Sequence, residues 1–336
     1  MIEVSILIAA RNEEVNIRRC LDSLDRLDYP KDRLEILIGN DRSEDATSAV
    51  VQHYLPTRPH LRLFDITERV GSQAGKSNVL AQLARRAQGQ FLLFTDADVA
   101  VAPTWVSQML QSFGPSEVGI VTGCTQIIGQ SAFERCQAVE WLYAQWILKQ
   151  FADWGIPVTA MGNNMAVRRE AYEKTGGYEH LPFSVVEDYQ LLHAVLQQGY
   201  TFAHRFDEGV LATTLPMRDG LSWLRQRKRW MVGAFQTQWY FILLFLAQAL
   251  WYPLLILLSL WNPALALGLF TGKLIGQTLH AAYVLNRIRR RDLWRTLPLY
   301  EPFVQVSSLL SLIYFLLPTK VIWKGRDFGS STAVRG

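Results

Sequence analysis

Short apolar runs alternate with helix-period segments through the first hundred residues. Val4–Ala10 reads as an apolar strand that Arg11-Asn-Glu-Glu14 breaks, and residues 15–25 place Ile17, Leu21 and Leu24 on one helical stripe. Leu34–Gly39 predicts a second strand ending at Asn40-Asp41-Arg42-Ser43, followed by a helix to Tyr54 with Ser43 or Asp45 as its N-cap. Leu61–Ile66 predicts a third strand, Ser77–Arg86 a third helix, and Phe91–Thr95 a fourth strand. This alternation implies an α/β fold, a mostly parallel sheet covered by helices on both faces. Ligands of such sheets bind at the carboxyl ends of strands, and Asn12-Glu13, Asp41 and Asp96/Asp98 all fall there.

Beyond Thr104 the pattern loosens. Val118–Ile127 predicts a strand, and residues 131–151 a long amphipathic helix rich in Trp and Tyr. Thr159–Val167 predicts a strand around Gly162-Asn163-Asn164, and Arg168–Thr175 a short helix stopped by Gly176-Gly177. Val185–Gln198 predicts a helix that opens on Glu187-Asp188 and ends at Gly199. From Trp239 to Trp261 no residue is charged, a length that crosses ~30 Å of hydrocarbon. Asn262-Pro263 makes a turn, and Ala264–Asn286 reads as a second span holding Lys273 and His280. Pro302–Pro318 is a shorter third apolar segment that either crosses or lies at the interface. The expected organisation is a soluble domain over 1–230, a membrane region over 231–318 and a basic tail over 319–336.

Charge sharpens that division. Residues 1–230 hold 24 Lys/Arg against 27 Asp/Glu, whereas residues 231–336 hold 10 against 3. A slightly acidic domain on a basic apolar tail fits a membrane surface as partner, and the lack of a basic face argues against nucleic acid. Arg225–Arg229 precedes the first span and Arg287–Arg295 follows the second. Both outer ends of the hairpin, and the soluble domain, are therefore expected on the cytoplasmic side of the membrane, the cell inner membrane in a bacterium. The chain opens on the strand-like Ile2–Ala10, so no cleaved signal is expected. Cys20, Cys124 and Cys136 are widely spaced, with no C-x-x-C, and fit reduced, buried thiols.

Each candidate for chemistry has a plain alternative. Asp96-Ala97-Asp98 sets two carboxylates at a strand end, where a hard divalent cation can share them with diphosphate oxygens; the alternative is two solvated carboxylates in a loop. Gly71-Ser-Gln-Ala-Gly75-Lys76-Ser77 has three residues between its glycines where a P-loop has four. Lys76 is then a group at a helix start that approaches a phosphate or base, or a surface lysine. Glu187-Asp188 either complements a helix dipole, worth up to ~1 kcal/mol, or supplies a carboxylate that takes the proton of an acceptor hydroxyl. Gln226-Arg227-Lys228-Arg229-Trp230 is either the basic and aromatic border of a span, or it sets Arg229 against a departing phosphate and Trp230 beside an acceptor.

Taken in order, these segments resemble family 2 glycosyltransferases, inverting enzymes of the GT-A fold, over nearly the whole chain. The resemblance runs through Ile6–Glu14, Asn40–Thr47, Gly75-Lys76, Thr95–Asp98, Gly162–Ala166, Val186–Asp188 and Gln226–Trp230. This is the D, D, D, Q-x-x-R-W pattern of the membrane branch, which includes ceramide glucosyltransferases and the hyaluronan, chitin and cellulose synthases. It implies donor contacts from Glu13, Asp41, Lys76, Asp96 and Asp98, with Asp98 and Asp96 holding Mg²⁺ or Mn²⁺. It implies Asp188 as general base, Arg229 stabilising the diphosphate, and Trp230 with Glu187 at the acceptor. Two departures stand out: Asn40-Asp41 replaces the usual Asp-Asp pair, and Asp45-Ala46 the usual Asp-Gly. The implied activity is transfer of a sugar from a nucleotide sugar, most commonly UDP-linked, to a lipid or lipid-linked acceptor. A processive polysaccharide synthase is the alternative, though two or three spans are few for a polymer channel unless the chain oligomerises. A catalytically silent, membrane-anchored sugar-nucleotide binder and a P-loop NTPase are readings of other classes.

Overall fold

The computed structural model describes residues 1–114, 117–234, 239–323 and 326–330. The elements run β1 (Val4–Ala10), α1 (Ile17–Asp25), β2 (Leu34–Asn40), α2 (Thr47–Tyr54), β3 (Leu61–Asp65), α3 (Lys76–Arg86), β4 (Phe91–Asp96) and α4 (Trp105–Gln111). Then come β5 (Val118–Thr122), β6 (Thr125–Ile127), α5 (Ala132–Asp153), β7 (Asn164–Arg168), α6 (Arg169–Lys174), α7 (Gly177–His180) and α8 (Glu187–Gln197). The chain closes with β8 (Thr201–His204), β9 (Ala212–Thr214), α9 (Gly220–Ala234), α10 (Trp239–Ser259), α11 (Pro263–Arg287), α12 (Leu297–Leu316), β10 (Lys320–Trp323) and β11 (Arg326–Ser330). They form two compact units, one of residues 1–126 and 147–215, the other of 127–146 and 216–336.

The first unit is built on a seven-stranded sheet of order β3-β2-β1-β4-β7-β5-β8. Strands β3, β2, β1 and β4 are mutually parallel, β7 is antiparallel to both β4 and β5, and β8 runs parallel to β5. β2 is buried along its whole length and β1 nearly so, as befits central strands with helices on both faces. Leu7, Leu37, Val79, Leu83, Phe94, Val167, Leu191 and Val195 belong to one continuous core that packs α3 and α8 onto the sheet. Register aligns Ala10 with Asn40 and Ala9 with Asp96, so the loops after β1, β2 and β4 open at one sheet end. Because β7 runs the other way, its start joins them: Asn164 pairs with Thr95.

Two expected strands differ, and one helix was not expected. The strand expected over 118–127 is two strands, β5 and β6, parted at Gly123, whose N–H donates to the Asn164 carbonyl at 2.8 Å. The strand expected from Thr159 begins only at Asn164. α4 breaks the loose stretch after Thr104, anchored by the fully buried Trp105, whose Nε1–H donates to Asn164 Oδ1 at 2.8 Å.

The second unit gathers α9–α12 with the first part of α5. α10 carries 21 residues, about 30 Å at the rise of an α-helix. Its window Ile242–Ser259 has mean hydropathy 2.1 and is 11% buried. Among the described residues the other stretch long and apolar enough to cross a membrane is Arg291–Leu316, ending with α12. α11 falls short of that mark, although 264–286 was the expected second span. Its apolar character is interrupted by Lys273, Gln277 and His280. Asn262 is more than a turn residue: its side chain accepts from the Leu265 N–H at 3.0 Å and caps α11, with Pro263 at the first helical position.

These helices are inside out. Leu244, Leu254, Leu257, Leu299, Val306, Leu310, Ile313 and Leu316 face outward, while Glu301, Gln305, Ser307, Ser308 and Ser311 are buried. Lys273 Nζ of α11 bonds to Glu301 Oε1 of α12 at 2.6 Å and to Gln277 Oε1 at 2.8 Å. With its amide turned to satisfy donors and acceptors, Gln305 accepts from Lys273 at 2.6 Å and pairs with Gln248 of α10. A polar network thus ties all three helices from within. Lys228 of α9 is buried as well, donating to the Leu317 carbonyl at 2.6 Å and Thr319 Oγ1 at 2.7 Å just past α12.

Candidate active site

The carboxyl end of the first unit's sheet collects the expected donor residues. Glu13 opens α1: its carbonyl accepts from the N–H of Asn16 and of Ile17, and its side chain accepts from Asn16 Nδ2 at 2.8 Å. Its own N–H donates to Thr47 Oγ1 at 2.7 Å, tying the loop after β1 to the start of α2. Asp41 lies beside it, its N–H on the Ala10 carbonyl at 2.8 Å. Both carboxylates belong to largely buried residues. Asn40 explains its own departure from the acidic pair. Its Nδ2 donates to Asp65 Oδ1 at 2.8 Å and its Oδ1 accepts from the Ser43 N–H at 3.1 Å. A carboxylate at position 40 would lose that donor and face Asp65 as a like charge.

Asp96 ends β4 and Asp98 follows in the turn, with Arg19 of α1 donating to the Asp98 carbonyl. Lys76 is drawn into the same end by Gly75, which takes φ +60° ψ −133° at the N-cap of α3. Its Nζ lies 2.6 Å from Asp96 Oδ1 and 3.0 Å from Glu187 Oε1, with the Gly162 carbonyl at 3.5 Å. Burial alone would lower the Lys76 pKa; Asp96, Glu187 and Asp188 together raise it, so the ammonium stays charged. Lys76 is therefore held among carboxylates and neither stands free at the surface nor follows P-loop spacing.

Asp188 sits in the first turn of α8. Its Oδ2 accepts from the Gly162 N–H at 2.8 Å and its Oδ1 from the Tyr189 N–H at 2.8 Å. Gly162 is required by this approach: a Cβ there would stand 2.9 Å from Asp188 Oδ2. Burial, then the neighbouring Glu187, pushes the Asp188 pKa up to about 6, against the pull of Lys76 and the two N–H donors. A carboxyl group poised there is a base at neutral pH with more proton affinity than an ordinary aspartate. The structure thus places Glu13, Asp41, Lys76, Asp96, Asp98, Glu187 and Asp188 on one unit, with Lys76 joining the β4 end to the α8 start.

A hard divalent cation suits this donor set. Among the described residues no three His, Cys, Asp or Glu side chains form a cage of their own. Asp96 and Asp98 are oxygen donors only, a set that Mg²⁺ or Mn²⁺ takes when phosphate oxygens supply the remaining positions.

Arg229 and Trp230 lie on α9 of the second unit. Trp230 stacks on Trp141 of α5 with ring centroids 4.7 Å apart and planes 25° off parallel. The Arg227 guanidinium lies 4.6 Å from the Trp230 ring centre and 5.0 Å from that of Trp223. It also pairs with Glu140 Oε2 at 2.5 Å. Sequence reading passed over Glu140, Trp141 and Trp223; the signal available was the spacing 223, 227, 230, one face of a helix.

A parallel half-sheet, an antiparallel insertion at β7 and carboxylates at the shared end define a GT-A glycosyltransferase fold. The chain belongs to glycosyl transferase family 21, of the family 2 clan, whose sequence pattern matches residues 3–333. A solved mannosyltransferase from Pyrobaculum calidifontis, in complex with GDP-Man and Mn²⁺, shares the fold. Its TM-score is 0.58 at 22% identity, over 94% of this chain and 87% of that one. Among curated proteins the chain is 32% identical to the "Probable glycosyltransferase YdaM" of Bacillus subtilis, over 73% of its own length and 57% of the relative's. It is 26% identical to the "Beta-monoglucosyldiacylglycerol synthase" of Synechocystis, over 70% of its length and 48% of the relative's. The chain thus spans about half the length of these curated relatives.

Proposed function

We propose that this chain transfers a sugar from a nucleoside-diphosphate sugar to a hydroxyl of a membrane lipid, inverting the anomeric centre. The observation that supports the reading is the Lys76 node, where the ammonium bonds Asp96 at the end of β4 and Glu187 at the start of α8, next to Asp188. Glu13 and Asp41 would contact the nucleoside and Lys76 the nucleotide. Asp98, with Asp96, would hold Mg²⁺ or Mn²⁺, which when bound neutralises the diphosphate. Asp188 would take the proton of the acceptor hydroxyl as that oxygen attacks the anomeric carbon from the face opposite the diphosphate. Arg229 would balance the charge of the departing diphosphate. Trp230 would contact the acceptor, as would Glu187.

A lipid acceptor is supported by the inside-out helices and by the monoglucosyldiacylglycerol synthases among the relatives. Leucines outward and Glu, Gln and Ser inward is the arrangement a bilayer favours and water does not. The basic run Arg225–Arg229 just before α10 favours a cytoplasmic catalytic unit.

Calorimetry of UDP and GDP with detergent-purified protein, with and without Mn²⁺, tests the donor site first. Incubation of the matching hexose donor with dioleoylglycerol in phosphatidylglycerol vesicles then tests transfer. Metal-dependent binding followed by a glycosylated lipid upholds the reading. Absence of binding by either nucleotide with any divalent cation removes it.

A further inference from the structure

We infer that Glu140 is a positioning residue for the acceptor, acting through Arg227 to fix the plane of Trp230. The inference rests on the proposed acceptor role of Trp230 and adds to it a residue outside the Q-x-x-R-W pattern.

Four side chains close a ring between α5 and α9. Glu140 Oε2 holds the Arg227 guanidinium at 2.5 Å. Arg227 lies over Trp230 at 4.6 Å, Trp230 stacks on Trp141 at 4.7 Å, and Trp141 is the neighbour of Glu140 in the chain. Trp223 adds a second aromatic surface to Arg227, at 5.0 Å. Helix geometry makes the ring possible: 223, 227 and 230 recur at the spacing that shares one face. Arg227 has a planar cation that can pair in its plane with a carboxylate while stacking its faces on indoles, which a lysine does not reproduce. Both members of the ion pair are largely shielded, with side-chain exposures of 14% and 17%, so a neutral Glu140 would leave the guanidinium without its counter-charge. The indole of Trp230 therefore has two fixed neighbours over its ring, and both trace back to adjacent residues of α5.

The α5–α9 approach does not depend on this pair. Gln137, one turn earlier on α5, donates to the Met217 carbonyl at 2.9 Å and accepts from the Met217 N–H at 3.1 Å, clamping α5 to the chain entering α9. Glu140→Gln therefore removes the counter-charge of Arg227 while that clamp persists.

The test reads Glu140→Gln in two ways on full-length protein. Two stacked indoles give an exciton couplet in the far-ultraviolet circular dichroism, and its loss reports that Trp230 has turned from Trp141; a Trp141→Phe protein provides the reference. Transfer kinetics follow, with the nucleotide sugar found above and dioleoylglycerol vesicles. The expected result is a weakened couplet and a KM for dioleoylglycerol raised about tenfold, the scale of one lost cation–π contact in a shielded site. The donor KM and kcat should stay within about twofold, and Glu140→Asp should recover part of both signals. An intact couplet in Glu140→Gln overturns the inference. So does a fall in kcat with the acceptor KM unchanged, since that is the mark of a merely structural pair. Trp230→Ala separates the two layers: an unchanged acceptor KM in that variant refutes the acceptor role itself. If wild-type protein transfers nothing to dioleoylglycerol, the couplet still decides whether Glu140 fixes Trp230.

Discussion

Replacing Asp188 by Asn tests the base directly. Both carboxylate oxygens accept a backbone N–H at 2.8 Å, from Gly162 and Tyr189. An amide has one acceptor oxygen, so one of those N–H groups would face an NH₂ group, a loss of ~0.5–1.5 kcal/mol that leaves the fold intact. The chemical loss is larger. Removing a positioned base costs about 10²–10⁴ in rate, which is about 3–5 kcal/mol of barrier. Donor binding, proposed for groups other than Asp188, should survive. The pH profile supplies a second signature. The base acts when deprotonated, and burial with Glu187 pushes its pKa up to about 6. The rate constant kcat/KM should therefore fall below that pH and level off above it. Lys76 lowers that pKa, so Lys76→Met should move the limb to higher pH. Calorimetry of the nucleotide and single-turnover transfer across pH 5–9 are the assays. A Asp188→Asn rate within about tenfold of wild type would refute the assignment, given the size expected of a base. So would a wild-type profile with its limb at the pH of an ordinary aspartate.

Four further outcomes are expected. Asp98→Ala should weaken nucleotide binding in Mn²⁺ by about 10–100-fold, the scale of one charge-assisted contact, and calorimetry should show almost no change in metal-free buffer. Asn40→Asp should cost about 0.5–1.5 kcal/mol of stability by losing the hydrogen bond to Asp65 and setting two carboxylates side by side, and Asn40→Asp with Asp65→Asn should recover most of it in thermal melts. Lys273→Met should lower stability in detergent by about 3–5 kcal/mol because Glu301 is left buried and unpaired; adding Glu301→Leu should restore much of that, and a melt that does not separate the single from the double variant would contradict the network. With α10 and α11 both crossing, Asp292→Cys should react with an impermeant thiol reagent from the cytoplasmic face only; labelling from the outside would show that α11 does not cross. The three native cysteines are buried and should stay silent in that labelling experiment.

What could be read from sequence followed burial. β1, β2 and β4 were legible because strands covered on both faces are continuous apolar runs, and Asp96 and Asp98 were legible because such a strand ends on them. β7 was misplaced at its start because residues 159–163 do not pair in the sheet; they turn so that the Gly162 N–H reaches Asp188. No local pattern announces that turn, since its partner lies a full helix and loop away. Lys76 was recognised as a candidate, but its partners Asp96 and Glu187 come from two other elements, and only the fold brings them within 3.0 Å. Asn40 looked like a lost carboxylate and is a used amide, because its partner Asp65 lies on the adjacent strand. The polar network of Gln248, Lys273, Glu301 and Gln305 was scattered through segments scored for apolarity, where each polar residue reads as a defect until the helices are assembled.

The charge at the sheet end constrains the donor chemistry further. Glu13, Asp41, Asp96, Asp98, Glu187 and Asp188 bring six carboxylates to elements that share one end of the sheet or meet at Lys76. Lys76 is matched by Asp96 and Glu187, and the guanidiniums of Arg11 and Arg19 reach the Asp41 and Asp98 carbonyls. A diphosphate carries its own negative charge, and at distances of a few ångströms like charges in a partly buried site repel by several kcal/mol. A divalent cation arriving with the proposed nucleotide sugar would offset that repulsion. The carboxylates gathered here and the Asp96–Asp98 spacing both support the proposed divalent ion. Glu187 beside Asp188 raises its proton affinity and Lys76 lowers it, so the proposed base would be largely ionised at neutral pH.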